Sequence, residues 1–382
     1  MNLKINGFEA TAIGSLPHKH PEQALELIGQ YVPDIPHWPQ LPNRGLKEHF
    51  VFQYLGMLVE LGLIKINQNK FYFDCNDDGF ENNLLKFYEL YLDIENGSIK
   101  ELENFTVHKD FAPGFHLFLE WIKAGRLNNA IAFKGQISGP LSVGLNLKDE
   151  RGVPIYYNEQ LKDLIVKTLM LQAWQQAREL QTKGKRSIIF VDDPGIVAYG
   201  SSGYLTLDRQ TIINDLSFII KGIHTGGALA GAHSCAGIDW PILVEAGFDI
   251  ISFDAYGYFQ TLAVYKDEVK SFIDRGGILA WGIVPTYNLQ DNESADNLKN
   301  LMTSQIDYLI NKGVSEEKLL RQIIVTPACG AATVGVDQAE KIYHLLFEVS
   351  MAMRNLYGIL AICQLGKSTL HLLRAQPREG LL

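Results

Sequence analysis

The sequence predicts an α/β protein built as a (β/α)8 TIM barrel. Three observations predict it. Short apolar runs rich in Ile, Val and Phe alternate with longer amphipathic stretches, the rhythm of a parallel sheet with helical crossovers. Eight such runs fit within the 382 residues, which suits a closed barrel better than an open doubly wound sheet. The ionisable and metal-binding side chains on these runs fall at the C-terminal end of each, where barrels carry their chemistry.

The strands are expected, in chain order, at Ala10 to Gly14, Ile35 to Trp38, Ala130 to Phe133, Ser187 to Val191, Ala228 to Ala232, Asp249 to Phe253, Ile278 to Ile283 and Ile323 to Val325. Helical periodicity places helices at Pro21 to Tyr31, Leu46 to Leu61, Phe111 to Ala124, Asn158 to Thr182 and Asp208 to Thr225. Further helices are expected at Trp240 to Ala246, Leu262 to Arg275, Ala295 to Lys312 and Gln338 to Gly358. The segment Leu63 to Asn104 breaks the rhythm. Its start, Ile64 to Phe73, alternates about a polar centre as a β-hairpin does, so it reads as a small hairpin insertion in the barrel. Without a repeat or a Pro- or Ser-rich linker, the chain divides into one barrel domain, residues 1–364 with an insertion at about 63–104, and a basic tail, residues 365–382.

Composition excludes several classes. With 47% hydrophobic and 20% charged residues, the chain is neither disordered nor of low complexity. Its 43 acidic against 34 basic residues give a net charge of −9, and the basic residues are scattered, which argues against nucleic acid or an anionic membrane as partner. No apolar stretch reaches the length of a membrane span, and the first residues lack the apolar core of a signal peptide. Four cysteines are too few for a disulfide framework. The expectation is a soluble, cytoplasmic protein.

The strand ends carry the candidate site. His233 and Cys235, two apart at the end of the fifth strand, point to the same side. Cys329 ends the eighth strand across the barrel mouth. One imidazole and two thiolates suit zinc with a fourth position open, and Asp254, ending the sixth strand, is a candidate for that position. The alternative is that these cysteines are buried fillers, as Cys75 and Cys363 are expected to be. Asp192 and Asp193 follow the fourth strand; as neighbours they point in opposite directions, so only one faces the axis, as a base or as the partner of an ammonium group. Gly14-Ser15 is either a plain strand-to-helix turn or a source of backbone N–H groups for a carboxylate.

These residues resemble a known family. Ile13-Gly14-Ser15, Val191-Asp192-Asp193-Pro194, His233-x-Cys235, Ile251-Ser252-Phe253-Asp254 and Pro327-Ala328-Cys329-Gly330 follow the order of the catalytic barrel of cobalamin-independent methionine synthase. That barrel belongs to a superfamily that also holds uroporphyrinogen decarboxylase and corrinoid-linked thiol methyltransferases. The resemblance implies zinc held by His233, Cys235 and Cys329, with Asp254 where methionine synthases have Glu. It implies that Ile13, Gly14, Ser15 and Asp192 contact homocysteine, with Asp193 beside them where the family has Glu. Asp192 and Asp254 are then the carboxylates of the reaction.

Two departures qualify the donor. The family's relay histidine, in an Ile-His-Ser-Pro stretch, has no counterpart in Ile283-Val284-Pro285-Thr286-Tyr287. A chain of this length also leaves no room for the second barrel that helps hold folate, which points to a methylated corrinoid protein as donor. The expectation is a zinc-dependent methyltransferase acting on a small thiol, homocysteine before others. The rivals are a corrinoid-linked enzyme for another thiol, a metal-free decarboxylase-like lyase, and a non-enzymatic barrel that binds metal or a corrinoid carrier. Arg44 is the sole arginine of the first 120 residues, which argues against a substrate with many carboxylates and so against the lyase.

Overall fold

The computed structural model describes residues 5–359 apart from 68, 69, 183, 288 and 290–292. The tail expected after Gln364, and Cys363, lie outside the described residues.

The described residues form ten strands: β1 (Glu9–Ala10), β2 (Ile64–Asn67), β3 (Lys70–Phe73), β4 (Ala132–Ser138), β5 (Lys148–Asp149), β6 (Arg186–Asp192), β7 (Leu229–Ser234), β8 (Ile250–Asp254), β9 (Ile278–Val284) and β10 (Ile323–Pro327). Seven of them form one curled parallel sheet in the order β1-β10-β9-β8-β7-β6-β4. The sheet is an incomplete barrel, which corrects the closed (β/α)8 expectation. The strand expected at Ile35 to Trp38 is missing as a strand, and the segment makes isolated bridges instead. His37 pairs with Lys134 of β4, and Gln40 pairs with Ser15 beyond β1. The physical reason is proline at every third position, Pro33, Pro36, Pro39 and Pro42, each lacking the N–H that a ladder needs.

Side-chain alternation along the strands sorts the core into two parts. On β6, Ile189 and Val191 join the large outer cluster packed under the helices, while Ile188 and Phe190 join a small inner one. The inner cluster also takes Ile35, Ala132, Leu229, Ile250, Ile278, Ala280 and Ile324. These nine side chains are the barrel floor. Continuing each inward row by two residues toward the C-terminal end reaches Lys134, Asp192, Ser252 and Thr326, and by four or more Gln136, His233 and Asp254. The inward rows are therefore apolar below and polar above.

The outer layer includes helices at Pro21–Tyr31, Pro113–Lys123, Glu159–Leu180, Arg209–Thr225, Ala295–Asn311 and Val336–Leu356, close to their expected bounds. Asn158, Asp208 and Ser294 cap three of them by accepting from the first-turn N–H groups. Two expectations change. Leu46 to Leu61 is a 3-10 turn (Leu46–Glu48) and a short helix (Gly56–Glu60) rather than one helix. Leu262 to Arg275 is split between helices Ala255–Ala263 and Lys266–Asp274.

The insertion begins with the expected antiparallel hairpin, β2 with β3. It then forms a 16-residue helix, Phe80–Glu95, that buries Leu84, Phe87 and Ile94. Strand β3 also pairs in parallel with β5, which lies just beyond the helix that follows β4. The insertion is thereby fastened to a loop at the mouth.

Candidate metal centre

His233 ends the inward row of β7, directly opposite Ser252 on β8. Its Nδ1 lies 3.0 Å from Ser252 Oγ, which fixes the ring. Its Nε2 is sealed from solvent and meets no partner in hydrogen-bond geometry. A buried ring nitrogen without a partner is costly unless something binds it. Cys235 lies just past β7 and Cys329 just past β10, and a nitrogen of His233 and the two sulfurs all lie within 4.8 Å of one another. Among the described residues no other group of three such side chains is gathered this way.

The electrostatics of the trio suit a cation. Cys329, as hydrogen-bond partner, and then the neighbouring His233 pull the Cys235 thiol down. The same contact, with burial, pushes the Cys329 thiol up. Two soft sulfurs and an unpartnered imidazole nitrogen make a three-donor set that zinc fits.

The structure separates the carboxylates expected here. Asp192 ends the inward row of β6, opposite His233. Its Oδ1 is buried without a partner. Burial raises its pKa, and the Lys134 ammonium acts foremost against the rise. Asp193 faces the other way. Its oxygens accept from Leu141 N (3.0 Å), Ser142 N (2.7 Å) and Ser142 Oγ (2.6 Å), so it fastens the N-terminus of helix Pro140–Asn146. That carboxylate is saturated within the protein, and a substrate role would compete with all three bonds. Asp254 stays outside the cluster of metal-type donors. One oxygen accepts from Gly257 N and the other from the Tyr287 hydroxyl, both at 2.7 Å. The expected fourth-ligand position is thus already engaged in capping a helix.

Ile13, Gly14 and Ser15 lie between β1 and the irregular segment around Gln40. The turn is bonded on both sides, Gln40 N donating to Gly14 O (3.0 Å) and Ala331 N to Ser15 O (2.9 Å). Gly14 has φ +144°, and a methyl group there would lie 2.9 Å from the Gln136 amide and 3.0 Å from Gln40 Oε1. Only glycine fits. The turn thereby sits beside Cys329 and Gly330, on the β10 side of the site.

Sequence reasoning missed the polar residues that support this turn. Lys134 and Gln136, inward-facing on β4, are fully buried. Gln40 Nε2 donates to Gln53 Oε1 (3.0 Å) and to the Tyr54 hydroxyl (2.8 Å). Burial first, and the charge of Asp192 second, push the Tyr54 phenol well up. A signal existed for Lys134: it interrupts the apolar run Ala132-Phe133 at an inward position. Tyr287 had a weaker one, standing in the stretch where the family's histidine is absent.

Among the described residues no helix is long and apolar enough to cross a membrane. No protein-family model matches the chain, and no curated protein matches it either. Among solved structures it is similar to a B12-independent methionine synthase from Shewanella sp. W3-18-1 in complex with selenomethionine. That likeness covers 64% of this chain and 68% of the other at 17% identity, with a TM-score of 0.45.

Proposed function

We propose that the protein is a zinc-dependent methyltransferase acting on a small thiol, with homocysteine as the leading acceptor. One observation carries the reading. Two strand ends far apart in sequence bring His233, Cys235 and Cys329 within 4.8 Å at the C-terminal end of the sheet, and His233 Nε2 has no partner there. His233, Cys235 and Cys329 would hold the metal. Zinc held there would supply a Lewis acid that lowers the pKa of a substrate thiol, so that a thiolate is available at neutral pH.

The chain's own residues supply the rest. The Ile13-Gly14-Ser15 turn offers backbone and hydroxyl groups to a substrate carboxylate. Asp192, with its buried, unpartnered Oδ1, offers its charge to an ammonium group. Asp254 and Tyr287 form the wall beside Cys235, and Asp193 holds the rim. The thiolate then attacks a methyl group carried by a donor above the mouth. The new S–CH3 bond takes the sulfur lone pair, and the donor leaves with the electrons of its old bond. Methylated folate and methylated corrinoid both satisfy this balance.

The test is metal content by elemental analysis, wild type beside Cys329→Ser and Cys235→Ser, followed by methyl transfer to homocysteine from each donor class. About one zinc per chain in the wild type, lost from both variants, is expected. A zinc-free wild type after zinc has been offered, or a fully active zinc-free Cys329→Ser protein, overturns the reading.

A further inference from the structure

Lys134 is a buried cation that this reading leaves unused. It stands in the inward row of β4, above Ala132 of the floor, with none of its surface exposed. Its Nζ donates to Ile13 O at 2.7 Å and to Gln136 Oε1 at 3.3 Å, and lies 4.4 Å from the centre of the Phe190 ring. The first of these bonds reaches the residue that opens the Gly14-Ser15 turn. The second orders the amide that packs against Gly14, whose Nε2 in turn donates to Trp38 O at 3.1 Å.

Packing alone does not call for an ammonium here. Methionine would fill a similar volume on the apolar floor without the cost of removing a charge from water. Burial indeed pulls the Lys134 ammonium down to about 8, and the charge of Asp192 acts against that fall. The converse also holds: burial raises Asp192, and Lys134 is the foremost charge opposing the rise. Lys134 on β4 and Asp192 on β6 stand on neighbouring, paired strands with no ion pair between them among the described residues, and Asp192 Oδ1 has no partner. His37, the other titratable group beside Lys134, is held at about 3 by burial and by that lysine, and so is neutral.

We propose that Lys134 is a positioning residue for the thiol substrate, fixing the Gly14-Ser15 turn from below through the Ile13 carbonyl and balancing the charge of Asp192 on the neighbouring strand. The proposal rests on the methyltransferase reading for the identity of the substrate. Its structural half, the hold on the turn, stands independently of it. The substrate would meet Ser15 and Asp192, while Lys134 acts through both and touches neither thiol nor metal.

The experiment compares wild type, Lys134→Met and Lys134→Gln by three measurements: zinc per chain, hydrogen exchange of residues 11–18 without substrate, and homocysteine binding with KM and kcat. The Met variant is expected to keep its zinc, to exchange faster over residues 11–18, and to bind homocysteine about ten-fold more weakly or worse, with the loss in KM rather than kcat. The Gln variant restores a donor to Ile13 O without the charge. It is expected to recover the slow exchange while its affinity stays low. Wild-type exchange and wild-type affinity in the Met variant overturn the proposal. If the wild type binds no thiol, the methyltransferase reading fails, and the exchange of residues 11–18 still decides the hold on the turn. Loss of the fold in both variants makes Lys134 a residue of the whole barrel rather than of the turn, and overturns the proposal as well.

Discussion

Ser15 Oγ occupies the space that any side chain at Gly330 would need: a methyl group there would lie 2.1 Å from it. The two residues join opposite ends of the chain, the turn after β1 and the residue following the cysteine beyond β10. Ala331 N donating to Ser15 O at 2.9 Å closes the same contact through the backbone.

Gly330→Ala should therefore turn the Ser15 hydroxyl away from its place. Because a hydroxyl can rotate, the cost in stability is expected to be about 1 kcal/mol. Zinc content should be unchanged and thiol affinity reduced. In a Ser15→Ala background the same change should cost almost nothing further, a coupling that a double-mutant cycle on affinity measures.

The adjacent aspartates should behave oppositely. Asp193→Ala removes three bonds at a helix terminus, and a loss of about 2–3 kcal/mol is expected in urea unfolding. Asp192→Asn, with an oxygen that has no partner to lose, should stay within about 1 kcal/mol of wild type in the same assay. Its thiol binding should nevertheless be severely weakened.

Asp254→Ala should keep its zinc. Both carboxylate oxygens already have partners in Gly257 N and the Tyr287 hydroxyl, so the three remaining donors are expected to hold the metal alone. Elemental analysis checks this, and zinc loss would restore Asp254 to the ligand set. Loss of the helix cap should appear separately, as a stability drop of about 1 kcal/mol.

Glu179 predicts a pH dependence far from the mouth. Burial raises its carboxyl from 4.5 to about 7, against the bonds from Thr106 and Gln175. The folded chain thus holds this proton more tightly than the unfolded chain. The associated stability is complete below about pH 4.5 and is lost as pH rises through about 7. Glu179→Gln keeps the acceptor for Thr106 and removes the charge. It is expected to gain about 2 kcal/mol over wild type at pH 8, a gain that disappears near pH 4.5 in thermal or urea unfolding.

Much of this was legible in the residues. The runs around Ile188-Ile189-Phe190 and Ile323-Ile324-Val325 announced parallel strands because both faces of such strands are buried. His233, Cys235 and Cys329 stood out because strand ends are few and each carried a soft donor. The irregular second position, Ile35 to Trp38, was not anticipated, although Pro36 and Pro39 were in view, since the barrel count favoured a strand there. Helix Phe80–Glu95 was hidden by the hairpin pattern that precedes it. The saturation of Asp193 and Asp254 was out of reach: it depends on Ser142 and Tyr287, whose approach is set by tertiary packing alone.

The pairing of β1 with β10 also bears on how the protein is made. Glu9 lies opposite Ile324 and Ala10 opposite Val325, so β1 finds this ladder partner only when β10 emerges from the ribosome. Cys329 follows a few residues later, long after His233 and Cys235. Completion of the sheet and the gathering of His233, Cys235 and Cys329 then become nearly simultaneous events of synthesis, and a nascent chain stalled before β10 would carry neither a paired β1 nor the full trio.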